Sequence, residues 1–428
     1  MPEFLDLYIK DISSKTHLIK SIYHLSSDSK INELFKDLFD KYWVYFEFSY
    51  TSLDEFNVLA VDSSSRYLNT SNGGLFYVAR ALGLSSSHEV YRRVDSGFDY
   101  CFSSDCSGII SRFMEWLEHL VIIDALNSGF RGFILLDGSL YGRFSHIPLE
   151  LDLTCNRDFM IKYFEDLLNL LNLSKRLNVP IIGVSKGSVS SFFRNFLIGI
   201  LAVDVGVKYG YDALWIKELL NKVLDRKRSA LYILDKLPEG LKVIVKELLN
   251  RRPDFQLILN FAKSTGYSMP LFLSPHPRTI RAFKLIERNA IEFLKSAFPY
   301  SSISNEFLDR SIGVIKGLLD LPAIISFHIL PSLSDIPLKI DIPAYFFGFE
   351  DKFMDFIWPE IIDVDLSNIL NLLSSGYCGP ENYNIWLSNV DGMVKLSRKV
   401  FESIYLPKFE DILGSIVTSR GYRRVRYP

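Results

Sequence analysis

The chain has 428 residues, 48% of them hydrophobic, with 48 Lys and Arg against 50 Asp and Glu for a formal net charge of -2. That balance excludes a uniformly basic nucleic-acid coat, although it leaves room for a local basic groove. The length admits two or three domains, or one large α/β domain with insertions, and 33 Phe with 22 Tyr predict a Phe-rich core.

In chain order, residues 1–50 space apolar positions helically (Leu5, Ile9, Ile12, then Ile31, Leu34, Phe35, Leu38) and predict a helical N-terminal segment. Its opening residues carry early acids and no long apolar run, so no signal peptide is expected. Three strands are predicted next, Phe56–Asp62, Gly74–Ala81 and Glu89–Phe98, parted by Ser/Asn/Gly clusters as in an antiparallel meander. A helix over Ser107–Asn127, a strand over Gly132–Leu136, a helix over Asp158–Leu173 and a strand over Pro180–Val184 follow. Three strands, helix, strand, helix, strand is the element order of a ribonuclease H-like fold: an α/β mixed sheet flanked by helices.

From residue 192 to 335 helical patterns dominate (Ala213–Val223, Gly240–Asn250, Arg278–Ala297, Ser304–Leu319), so this stretch is expected to be a large, mostly helical insertion or lobe. Basic residues recur within it: Lys222, Arg226, Lys227, Arg228, Arg251, Arg252, Arg278, Arg281 and Lys284. Solvated helix faces are the plain account of them. Strand texture returns at Ile342–Phe349. The expected division is therefore 1–50, a core of 51–191 with 336–405, the lobe 192–335, and a basic tail 406–428 in which Arg alternates with Tyr. That tail suits phosphate contact and base stacking, or docking on a partner.

The longest apolar stretches, 109–125 and 196–207, are interrupted by Glu115, Glu118 and Asp204. They are expected as buried helices of a soluble, cytoplasmic protein without a membrane span. Cys101, Cys106, Cys155 and Cys378 are scattered, and the C-x4-C pair lacks a second pair for a zinc site, so reduced thiols are expected.

The chemistry concentrates at strand ends. Val58-Leu-Ala-Val-Asp62-Ser-Ser-Ser65 delivers a carboxylate where a buried strand gives way to small polar residues, and Phe133-Ile-Leu-Leu-Asp137-Gly-Ser139 repeats the pattern. On neighbouring strands these carboxylates face each other and repel unless a cation, a proton or a basic group intervenes. A hard-metal site is one such solution. Glu115 and Glu118 share a face of the helix between them, and the apolar Val121, Ile122 and Ala125 favour Glu118 as the inward acid. Lys186, in Gly183-Val-Ser-Lys186-Gly-Ser188, stands at another strand end, where it can hold a phosphate or steady a water. It is not a Walker A lysine, and no G-x-G-x-x-G, H-E-x-x-H or G-x-S-x-G run occurs.

Ala60-Val-Asp62-Ser-Ser64, Leu135-Leu-Asp137-Gly-Ser-Leu140 and Gly183-Val-Ser-Lys186 in this order, with a glutamate-bearing helix before the second, resemble the NurA nucleases of archaea and some bacteria. Those nucleases resect DNA ends with the hexameric HerA translocase. Late in the chain, Leu387, Val390 and Val394 fall on the family's apolar positions and Asp391 falls where the family has histidine. Tyr383 keeps the spacing of the family's tyrosine, while Tyr377 keeps its Gly-Tyr dipeptide. Ser63 stands where many relatives have glycine.

The resemblance implies a metal-dependent DNA nuclease, a 5′-to-3′ exonuclease with single-strand endonuclease activity. Asp62, Glu118, Asp137 and Asp391 would bind two Mn²⁺ or Mg²⁺ ions, with Lys186 on the phosphate and Tyr383 beside it. It further implies a homodimer that takes DNA and docks on a HerA-like hexameric ATPase in double-strand-break repair by homologous recombination. A catalytically inactive NurA-like scaffold is the alternative.

Overall fold

The computed structural model describes residues 4–23, 29–49, 52–102, 106–250 and 252–414. The Arg/Tyr run Ser419–Pro428 and Arg251 lie outside the described residues. The strands are β1 (Trp43–Tyr45), β2 (Val58–Asn69), β3 (Gly74–Ser85), β4 (Val90–Tyr100), β5 (Phe133–Asp137), β6 (Ile181–Lys186), β7 (Gly266–Ser268), β8 (Leu271–Phe272), β9 (Ile324–Leu330), β10 (Leu338–Pro343) and β11 (Glu360–Ile361). They form one mixed sheet in the order β1-β7-β9-β10-β6-β5-β2-β3-β4, with β8 bridging β9 and β11.

β2, β3 and β4 make the expected antiparallel meander, and β5 and β6 add parallel to β2 in turn. This is the ribonuclease H-like arrangement. The stretches Val58–Val61, Phe133–Leu136 and Ile181–Val184 of the central strands have no polar side chain, because both faces are covered there. Alternation sends Leu59, Val61, Ile134 and Leu136 into one core, under the helices Cys106–Asn127 and Phe159–Leu177. Val58, Ala60, Leu135, Ile182 and Val184 enter a second core on the other face, under Ser367–Gly376 and Ile385–Val394. Strand alternation therefore decides on which face each strand-end group emerges.

The stretch 192–335 is helical for most of its length, but it is not a separate lobe. Its strands β7, β8 and β9 hydrogen-bond into the main sheet, and β9 pairs with β10 over Ile324–Leu330. β7 and β8 are too short to show a period in the sequence, and β9 (Ile-Ile-Ser-Phe-His-Ile-Leu) is buried at every position. The strand expected over Ile342–Phe349 runs instead from Leu338 to Pro343, and a 3₁₀ turn, Ala344–Phe347, follows it. Proline, having no N–H, suits the strand's last position.

The N-terminal residues form helices Leu5–Ser14, Thr16–Tyr23 and Ser29–Tyr42. The third packs Phe39 on Trp43 and Phe193. Cys101 and Cys106, expected as reduced thiols, form a disulfide. Cys101 follows β4 and Cys106 opens the next helix, with their Cα atoms 6.2 Å apart, within disulfide reach. Among the described residues no helix is long and apolar enough to cross a membrane.

Candidate active site

The parallel register pairs Val61 with Leu136, so the next step sets Asp62 opposite Asp137. Asp137 ends its strand as expected, whereas β2 does not stop at Asp62 but runs on to Asn69, because Ser63–Asn69 keep their pairing with β3. Both aspartates follow the alternation that emerges on the face covered by Ile385–Val394, as does Lys186 at the end of β6. Gly138 and Gly187 turn the chain sharply after these strands with φ of 113° and 68°, a region in which glycine is favoured. Gly183 allows the loop after β5 to close in, since a Cβ there would stand 2.8 Å from the Gly138 carbonyl oxygen.

Lys186 Nζ donates to Asp137 Oδ2 at 2.9 Å and lies 3.5 Å from the Tyr383 hydroxyl and 4.8 Å from that ring's centroid. Tyr383 sits just before the helix Ile385–Val394, which Asn384 caps by accepting from the Leu387 N–H at 3.1 Å. Arg80 Nε donates to the Val394 carbonyl at 2.7 Å, and Ser64 Oγ accepts from the Leu396 N–H at 2.9 Å. These bonds pin the end of that helix to β2 and β3 and carry Asp391 to the strand ends. Lys186, Tyr383 and Asp391 line a cleft of about 380 Å³. Tyr377 does not line the cleft, and its hydroxyl donates at 2.9 Å to Oδ2 of Asp335, which does.

Glu118 arrives from the opposite face. It is fully buried, accepts from Ser63 Oγ and forms an ion pair with Arg143 on the short helix Leu140–Ser145. Ser63 is one residue past Asp62 and emerges on the Glu118 side, so the serine links the two acids. Glu115 points away from this junction. His146 Nε2 contacts its carboxylate at 2.9 Å and the Tyr163 hydroxyl donates to it at 2.7 Å. Burial pushes the Glu115 carboxyl up, but the His146 hydrogen bond and the Arg143 charge outweigh this and hold it at about 2. Arg143 and Ser63 carried no sequence signal for these contacts, which join residues 25 and 55 positions away.

The Asp62 carboxyl is strongly perturbed. Burial first, then the charges of Asp137 and Glu118, and finally that of Asp391, push its carboxyl up to about 8 against the lowering bond from the Ser63 N–H. Burial also raises Glu118, although Arg143 and Ser63 oppose it. Burial and the Asp137 charge drive the Tyr383 hydroxyl far above its usual range. The sequence-predicted residues Asp62, Glu118, Asp137, Lys186, Tyr383 and Asp391 thus meet at one end of the sheet. Even so, among the described residues no three His, Cys, Asp or Glu side chains stand close enough to hold a metal ion as they are arranged.

The sequence model of the NurA domain matches residues 56–284, more than half of the chain. The chain belongs to the NurA family. The match reaches well into the stretch 192–335, whose strands join the sheet, and it ends before Tyr383 and Asp391. The fold is similar to that of the NurA nuclease from Sulfolobus solfataricus, with a TM-score of 0.53 and 14% identity over 96% of this chain and 97% of that one. A solved NurA with manganese is also similar, with a TM-score of 0.42 and 14% identity over 94% and 98% of the two chains. No curated protein matches. At this identity the likeness to the Sulfolobus solfataricus NurA speaks to the fold alone, and the family match supports a nuclease.

Proposed function

We propose that this NurA-family chain is a metal-dependent deoxyribonuclease whose reaction takes place around Asp62, within β2 and level with the ends of β5 and β6. The supporting observation is the Asp62 carboxyl, which is held at about 8 by burial and by the neighbouring Asp137, Glu118 and Asp391. Such a cluster stores repulsion that a divalent cation relieves, and its all-oxygen donors suit Mn²⁺ or Mg²⁺. In kind, then, the donors fit. Asp62, Asp137 and Asp391 would hold the ions, joined by Glu118 once it exchanges Arg143 or Ser63 for a cation. A bound ion supplies Lewis acidity to the phosphate and to an attacking water.

The chain's own groups have separable tasks. Lys186, steadied by Asp137, presents its ammonium to the scissile phosphate. Tyr383 packs its ring against that ammonium and keeps a protonated hydroxyl for a phosphate oxygen. The finer reading comes from the family resemblance: 5′-to-3′ exonuclease and single-strand endonuclease action, two ions, a homodimer, and DNA end resection with a HerA-type translocase in the cytoplasm.

End-labelled DNA incubated with Mn²⁺ and either wild type or Asp62→Asn tests the reading. Cleavage by wild type and its loss in the variant are expected. Equal cleavage by both would point to a contaminant and overturn it. The ties of Glu118 to Arg143 and Ser63 favour a second reading, a NurA-like scaffold that binds DNA or a HerA-like ATPase without cutting. A wild type that stays inert with and without such an ATPase supports that scaffold.

A further inference from the structure

On the opposite face of the sheet from the cleft, the loops that follow Asp137 and Lys186 form one wall of a much larger cavity, about 930 Å³. Ser139 and Ser188–Ser191 stand in that wall, and Arg112, Arg226, Arg252 and Arg278 converge on the space from four other segments. No aspartate or glutamate lines it. Two further cations, Arg194 and Lys339, reach it already paired, the first with Glu247 and the second with Asp341.

Among the described residues the side chains of Arg226, Arg252 and Arg278 form no ion pair. Asp225, next to Arg226, is occupied by Arg281 and by Lys227 at 3.7 Å. Arg252 Nη1 is buried without any hydrogen-bond partner. A buried guanidinium N–H left unpaired is costly, and an anion's oxygen would complete it. The rings of Tyr141, Phe192 and Trp358 also line the space, and the volume is at the upper end for a small-ligand site. Guanidinium forks for phosphate beside aromatic faces are the chemistry of nucleotide recognition.

We propose that this cavity binds a nucleoside 5′-phosphate, either free or as the phosphorylated end of a strand, separately from the carboxylate cleft. In linking the cavity to a nuclease product or substrate end, the inference rests on the reading above; the binding itself does not.

Binding is measured in EDTA, where no cleavage is required. The probes are deoxyadenosine 5′-monophosphate, inorganic phosphate, and a thymidine trinucleotide with and without a 5′-phosphate. Phosphorylated nucleotide probes should bind about tenfold or more tighter than the unphosphorylated trinucleotide, and the double variant Arg252→Gln/Arg278→Gln should lose about that factor. Asp62→Asn should bind as wild type does. Preference for the monophosphate marks a free nucleotide, preference for the phosphorylated trinucleotide marks a strand end, and either supports the site.

Affinity that ignores the 5′-phosphate, inorganic phosphate binding as tightly as the monophosphate, or an unaffected double variant overturns it. Arg278 is exposed, so Arg278→Gln alone keeps the test available if Arg252→Gln, at a half-buried residue, unfolds the protein. A chain that binds but never cleaves sinks only the nuclease reading, and one that cleaves without binding sinks only this inference.

Discussion

Two sites lie back to back across the strand ends of this sheet, and they differ in the charge each leaves uncompensated. On one face, Asp62, Asp137 and Asp391 gather with Lys186 the nearest cation, and Asp62 is driven up to about 8. On the other, a cavity takes arginines from several segments and no acid. Strand alternation does the sorting: Asp62 and Asp137 emerge on one side, whereas Lys339 and Asp341 on β10 emerge on the other. The contrast sets what each site would take on the two proposals above: a cation in the cleft and an anion in the cavity.

The strongest way to break the comparison is to exchange effects between the faces. Asp62→Asn and Asp137→Asn should each lower Mn²⁺-dependent cleavage of end-labelled DNA by at least about a hundredfold and leave nucleotide binding in EDTA intact. Loss of that binding in an aspartate variant, with the fold preserved, would merge the two sites into one.

Next in size is the tie that holds Glu118 between the faces. Arg143 and Glu118 are both almost fully buried, and removing one partner leaves the other charge stranded, at about 3–5 kcal/mol. Arg143→Met should therefore lower the denaturation midpoint sharply, whereas Glu115→Gln, at a half-buried carboxylate, should do less. Equal losses in urea melts would mean that Glu118 is no more committed than Glu115.

The cleft's repulsion also predicts a pH slope in the metal-free protein. Asp62 titrates at about 8 when folded and near 4 when unfolded. Below pH 4 it costs nothing. As the pH climbs from about 4 to 8, the unfolded chain releases this proton while the native chain keeps it, so stability falls. Melting temperatures of wild type in EDTA should drop across that window relative to Asp62→Asn, by the equivalent of a few kcal/mol on the order expected for such a shift, and Mn²⁺ should reverse the drop. Parallel pH profiles for the two proteins would remove the electrostatic argument for the cation.

Much of this arrangement is legible in the sequence, but unevenly. Between residues 56 and 186 the buried parts of β2, β5 and β6 are compact apolar runs bounded by small polar residues, and the expected strands and helices are all present, although β2 runs on to Asn69 and the short helix Leu140–Ser145 gave no signal. Asp62, Asp137 and Lys186 are visible there because each ends such a run. Past residue 192 the helices stand near where the pattern sets them, but the strand signal fails for physical reasons. β7 and β8 have 3 and 2 residues, and β10 alternates Leu338, Lys339, Ile340 and Asp341 as a half-exposed strand would, although all are buried. Lys339 and Asp341 are sheltered by pairing with each other, which no local pattern reveals. Arg143 stayed hidden because its role depends on a contact made in three dimensions, not on its neighbours in sequence.

The smallest effect belongs to the two tyrosines that the sequence left as alternatives. The Tyr383 hydroxyl is 3.5 Å from Lys186 Nζ, and its ring stacks under the ammonium, whereas the Tyr377 hydroxyl is spent on Asp335. Tyr383→Phe keeps the ring and removes only a neutral hydrogen-bonding group, so cleavage should fall by no more than about tenfold. Tyr377→Phe should leave the rate unchanged. Because the phenylalanine ring still faces Lys186, a drop much beyond tenfold in Tyr383→Phe would mean that the hydroxyl takes part in the reaction itself and does more than steady the lysine.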